Sequence, residues 1–149
     1  MLGELLTNKR IQTTKQVANW EEAIALASKP LIEDKSIQKE YVKAMMEAVH
    51  QFGPYMVLGD RFALPHAQGS KGVNRLSMAL LVVEDEVDML GEPVNMFMVL
   101  ASPDSSSHID ALASLSELLT VPENLSRIRT GSKETILALI NEVKEEKGQ

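Results

Sequence analysis

Two almost unbroken apolar runs, residues 76–83 and 94–101, set the strongest limit on what this chain can fold into. Neither alternates apolar with polar positions, as a strand with one wet face would, so both read as central strands covered on two sides. Such strands need helices on each face, and the flanking sequence supplies them. Ala23, Ile24, Ala27 and Leu31 share one helical face, with Asn19 ahead of them as an N-cap and Glu22 completing a capping box. Pro30 lies near the end of that helix and is expected to kink or terminate it. Tyr41, Val42, Met45, Met46 and Val49 recur at helical spacing, with Ser36 as the expected cap and Gly53-Pro54 as the stop.

Shorter strands are expected at residues 11–17, 55–58 and 62–65, the last two separated by Gly59-Asp60. The acidic stretch 84–92 reads as an exposed connection. A third helix should begin near His108 and turn Ile109, Leu112, Leu115 and Leu119 inward. Pro122 then opens a short helical turn carrying Leu125 and Ile128. Ser132 caps a last helix that buries Ile136, Leu137, Ile140 and Val143, and residues 144–149 read as a solvated tail. The order of elements implies an α/β fold: a single domain over residues 1–149, with one mixed β-sheet and helices on both faces.

Composition narrows the chemistry. The 149 residues contain no cysteine, which excludes disulfides, thiol nucleophiles and thiolate metal sites. Neither a signal peptide nor a membrane span is expected, and the chain is read as soluble and cytoplasmic. A net charge of −6 disfavours nonspecific nucleic-acid binding and leaves room for a basic protein partner. With aromatics at 4%, the core must be built from aliphatic side chains and the eight methionines.

Chemistry therefore falls to the histidines. His66, in Leu64-Pro65-His66-Ala67, follows an apolar strand and opens a loop. Pro65 stiffens the backbone entering it, and a neutral imidazole is a good nucleophile near neutral pH. A loop histidine with no task fits the same residues. His108 also follows an apolar strand, near a helix start whose amides favour an anion and disfavour an imidazolium. If those two strands are parallel neighbours, both rings reach one sheet edge. They could then hold a phosphoryl group, act as nucleophile and supporting donor, or begin a zinc site that needs a third ligand. Asp60, Asp104 and Asp110 have no spacing that recommends them as that ligand. His50, at the end of the second helix, reads as a surface or capping residue. The segment Gln68-Gly69-Ser70-Lys71-Gly72 lacks the spacing of a phosphate loop.

Nearly the whole chain resembles the type-2 IIA domain of the bacterial sugar phosphotransferase system, the mannitol/fructose/ascorbate group. The resemblance is anchored by the stretch ending in Leu64-Pro65-His66-Ala67 and by the one ending in Ser107-His108-Ile109. Ala44-Met45-Met46 and Gln51-Phe52-Gly53-Pro54-Tyr55 look like the ascorbate branch in particular. Mannitol-type members have an arginine on the second helix where this chain has Ala48, and ascorbate-type relatives lack that arginine too. Ascorbate-type members often carry Arg-Pro after the active loop, where Gln68-Gly69 stand here. Arg61, Lys71 and Arg75 are the nearby positive charges that would compensate.

The resemblance implies a phosphoryl relay. His66 would accept a phosphoryl group from the carrier protein phospho-HPr, and His108 would support that group by hydrogen bonding. The group would pass to a IIB component coupled to a membrane IIC component, with no cofactor and no metal. Attack is expected from Nε2 of His66, with its Nδ1–H donated to a backbone carbonyl or a nearby acceptor. The site should be shallow and accessible, rimmed by apolar residues and scattered carboxylates. A noncatalytic interaction module and a hydrolase of small phosphoesters are the alternative readings.

Overall fold

The computed structural model describes residues 2–68 and 71–147, the last five by backbone alone. Among them, a short helix α1 (Leu2–Leu5) and a single 3₁₀ turn lead into β1 (Ile11–Thr14). Then come α2 (Trp20–Glu33), α3 (Lys39–Phe52), β2 (Val57–Gly59), β3 (Phe62–Ala63), β4 (Ser77–Met89) and β5 (Glu92–Ala101). Three helices, α4 (Ser105–Leu119), α5 (Pro122–Thr130) and α6 (Lys133–Lys147), close the chain.

The strands form one mixed five-stranded sheet in the order β1-β4-β5-β3-β2. β1 runs parallel to β4 and β3 parallel to β5, whereas β4–β5 and β2–β3 are antiparallel. The expected α/β single domain, with helices on both faces of the sheet, is the observed one. Successive residues of β4 point to opposite faces, which builds two cores. Ala79, Leu81 and Val83 pack with α2 and α3, while Met78, Leu80 and Val82 pack with α1, α4, α5 and α6.

The local signals were satisfied in most places. Asn19 caps α2, its side chain accepting from the Glu22 amide at 2.8 Å, and the Glu22 carboxylate accepts from the amide of Ala18. Pro30 does not end α2, which continues to Glu33. A proline leaves the carbonyl four residues earlier without its helical donor. That carbonyl belongs to Leu26, and the Gln12 side chain from β1 donates to it at 2.8 Å.

Four expectations are corrected. Residues 84–92 are not a loose connection, because β4 runs on to Met89 and turns at Leu90-Gly91 into β5. Val87 and Met89 are buried there while Glu86 and Asp88 face solvent, so the acidic face hid a period-two strand. Ser36 does not cap α3. Gln38 takes the N-cap place without a side-chain bond, and the buried Ser36 hydroxyl accepts from both Arg10 and Arg75. α4 begins at Ser105 with Asp104 as its cap, and its buried positions are Ala111, Ser114, Leu115 and Leu118 rather than Ile109. Ile109, about 200° round the helix from Ala111, lies off that buried stripe and is 64% exposed. Residues 144–147 continue α6 as helix. The orientation expected of Val143 and the state expected of residues 148–149 lie outside the description.

Candidate functional site

Two parallel neighbours bring the candidate residues together. Ala63 of β3 lies in register with Phe97 of β5, and beyond that pair the Leu100 amide donates to the Pro65 carbonyl at 3.0 Å. The segment after β3, which carries His66, and the segment after β5, which begins at Ser102, therefore emerge along the same sheet edge. Asp104 then starts α4, which carries His108 in its opening turns. The condition set by the sequence, parallel and adjacent strands ahead of the two histidines, is met. Their ring centroids lie 5.9 Å apart with the planes tilted by 45°.

Both imidazoles are partly exposed on a cleft of about 670 Å³. Tyr41, Gln68, Pro103, Asp104 and Ile109 help to line it. The His66 ring is held by its Nδ1, 2.6 Å from the carbonyl of Leu64. A carbonyl can only accept, so Nδ1 carries the proton and Nε2 keeps its lone pair. His108 is pushed below the usual imidazole range, first by burial and then by the repulsion that two protonated rings, His66 and His108, would exert on each other. It therefore stays neutral at pH 7, with one N–H to donate. The Asp104 carboxylate accepts from the Ser107 amide at 2.7 Å, which holds it below its usual range. The cap of α4 is thus Asp104, and it occupies an amide that an anion would otherwise use.

The other sequence candidates lie elsewhere. Arg61 pairs with Glu86, and Arg75 with Asp34 and Ser36. Arg61, Arg75 and Lys71 are not among the described residues that line the cleft. His50 faces solvent beside Glu21 and packs at a tilt against the Trp20 ring, in keeping with a surface role. Among the described residues no group of three or more His, Asp or Glu side chains converges as metal ligands would. Two tyrosines that the sequence gives no part in the site stand beside the rings. Tyr41, expected as a core position, lines the cleft, and Tyr55, expected on a short strand, meets the His66 ring edge-on at 5.6 Å. Their one signal is chemical: a tyrosine at an apolar position brings a hydroxyl that needs a partner.

Residues 4–143 match the family described as the phosphoenolpyruvate-dependent sugar phosphotransferase system, EIIA 2. The chain belongs to that family. IIA components are phosphotransferase relay proteins that carry phosphoryl groups on histidine. The mannitol-specific cryptic phosphotransferase enzyme IIA component of Escherichia coli K12 is 32% identical over 92% of this chain and 95% of its own. The ascorbate-specific IIA component of the same strain is 25% identical, with 92% of each chain covered. The solution structure of the cryptic mannitol IIA from Escherichia coli superposes with a TM-score of 0.88 at 29% identity, covering 95% of this chain and 98% of that one. Both sugar specificities thus occur among the relatives of this IIA chain.

Proposed function

We propose that His66 is the phosphoryl-accepting residue of this IIA domain, residues 1–149, and that His108 is its supporting donor. The observation that carries the proposal is the 2.6 Å bond from His66 Nδ1–H to the Leu64 carbonyl, which leaves Nε2 as the nucleophile beside a second imidazole. Nε2 attacks the phosphorus of phospho-HPr in line. The P–N bond to the donor ring breaks as the new P–Nε2 bond forms. With a proton on the second nitrogen of each ring, the donor leaves as neutral imidazole and His66 becomes a protonated phosphoryl-imidazole. The Leu64 carbonyl stabilises the positive charge arriving on the His66 ring.

His108 donates a ring N–H to one phosphoryl oxygen. Such transfers are matters of position and of charge on the equatorial oxygens, so a fixed donor ring is the assistance required. The same transfer in reverse geometry hands the group to a IIB component coupled to a membrane IIC component, with the relay working in the cytoplasm. Exposed Ile109 and Tyr55 beside the rings, with the Asp104 carboxylate, suit transient partners presenting a basic face.

Incubation with phospho-HPr followed by mass spectrometry tests the reading. Wild type should gain one phosphoryl mass and His66→Ala none; a wild type that gains nothing refutes it. For the sugar, Ala48 and the segment Gln51-Phe52-Gly53-Pro54-Tyr55 favour the ascorbate branch. The 32% identity to the cryptic mannitol component favours mannitol instead. Transfer from the phosphorylated chain to ascorbate-type and mannitol-type IIB proteins, compared as rates, decides between them.

A further inference from the structure

The peptide unit joining His66 to Ala67 is bracketed by two tyrosine hydroxyls. Tyr55, just beyond the end of α3, donates its hydroxyl proton to the His66 carbonyl at 3.1 Å. Tyr41, buried within α3, accepts from the Ala67 amide at 3.1 Å and donates to the Leu100 carbonyl on β5 at 2.6 Å. Both polar atoms of one peptide bond are thus held by side chains from outside the loop. The preceding peptide is pinned as well, because the Pro65 carbonyl accepts from Leu100. Burial pushes the Tyr41 hydroxyl up to about 12, so it keeps its proton, and its bond to Leu100, throughout the physiological range.

A histidine at the mouth of a loop would ordinarily share the loop's mobility. Here the backbone on each side of His66 is fixed to β5, directly or through Tyr41, and β5 leads into the helix that bears His108. The Tyr55 ring also lies edge-on to the imidazole and limits its swing. We propose that Tyr41 and Tyr55 form a clamp on the His66–Ala67 peptide, acting as positioning residues that keep the His66 ring in register with His108 for phosphoryl transfer. The proposal rests on His66 being the acceptor. Neither tyrosine touches the phosphoryl group in this scheme; both act through the histidine.

Tyr41→Phe and Tyr55→Phe each keep the ring and delete the hydroxyl. Single-turnover transfer from phospho-HPr, followed against HPr concentration, separates the maximal rate from apparent affinity. Loss of one ordinary hydrogen bond corresponds to a factor of roughly 2–10, so each variant should lose about that much maximal rate at unchanged half-saturation. Nitrogen relaxation of the His66 ring and hydrogen exchange at the Ala67 amide, measured without HPr, should show a faster ring in both variants and faster exchange in Tyr41→Phe. A purely structural role would lower the melting temperature and leave ring motion alone. Tyr55 is 44% exposed, so Tyr55→Phe decides the matter if Tyr41→Phe fails to fold. Wild-type maximal rate with unchanged ring relaxation in Tyr55→Phe overturns the clamp, as does a loss confined to half-saturation. If wild type takes up no phosphoryl group, the relay reading fails, and ring relaxation alone judges the clamp: faster motion supports it and unchanged motion overturns it.

Discussion

Replacing Gly72 by alanine should destabilise the protein well beyond the effect of the same change at Gly91. Gly72 has φ +83°, and a Cβ there would stand 2.8 Å from the Tyr41 amide nitrogen, 2.9 Å from Glu40 Cγ and 3.0 Å from Tyr41 Cβ. The left-handed backbone costs an alanine about 1–2 kcal/mol. The contact adds a second cost, because the nearest obstacle is helix backbone and cannot swing away. The loop is also tied to α3 by the Gln38 amide, which donates to the Gly72 carbonyl at 2.8 Å. Overpacking of this kind typically adds about 1–3 kcal/mol, giving a total of about 2–5 kcal/mol. Gly91 has φ +98° but nothing within 4 Å, so it should show only the backbone part, about 1–2 kcal/mol. Urea denaturation of both variants, compared at matched slopes, measures the difference. Because Tyr41 also holds the Ala67 amide, folded Gly72→Ala should transfer phosphoryl groups more slowly, and Gly91→Ala should not. Equal stability losses at the two glycines would refute the steric reasoning.

Other outcomes follow from the same geometry. His108→Ala should slow single-turnover transfer by about 10²–10³-fold, the usual effect of losing one preorganised donor to a developing anion, with the mass gain on His66 still reached at long times. His108 binds fewer protons folded than unfolded between its depressed pKa and the ordinary value of 6.5, so stability should fall as pH drops through that window and be fully present above it. Titration of the ring by nuclear magnetic resonance should show the depressed value in free protein and a higher one once His66 carries a phosphoryl dianion, which favours the charged imidazole. Leu90 sits 48% exposed at the β4–β5 turn with φ +52°, ahead of Gly91. Leu90→Asn should therefore raise stability by about 0.5–1 kcal/mol in thermal or urea unfolding, since asparagine tolerates that backbone and Asn-Gly suits such a turn.

Much of this molecule is written locally. The apolar runs at 76–83 and 94–101 announced two strands buried on both faces, and Asn19 announced the start of α2, because each signal depends only on near neighbours in the chain. His66 and His108 stood out for the same reason, each being the histidine that follows an apolar strand. Where the reading failed, a distant partner had intervened. Val87 and Met89 extend β4 through an acidic stretch because a core waits for them on the α2–α3 side. Ser36 is withdrawn from capping because two arginines from distant segments converge on its hydroxyl.

Local signals in the chain are enough for the two central strands, the start of α2, the lack of thiol chemistry and the two histidines that follow apolar runs. It takes the assembled sheet to lay β3 parallel beside β5, so that both imidazoles share one edge, and to close two tyrosines on the peptide after His66. Spacing along a chain sets no distance across it. Those distances come from hydrogen-bond register between strands and from side chains that must pair once they are buried, and both exist only when the sheet has formed.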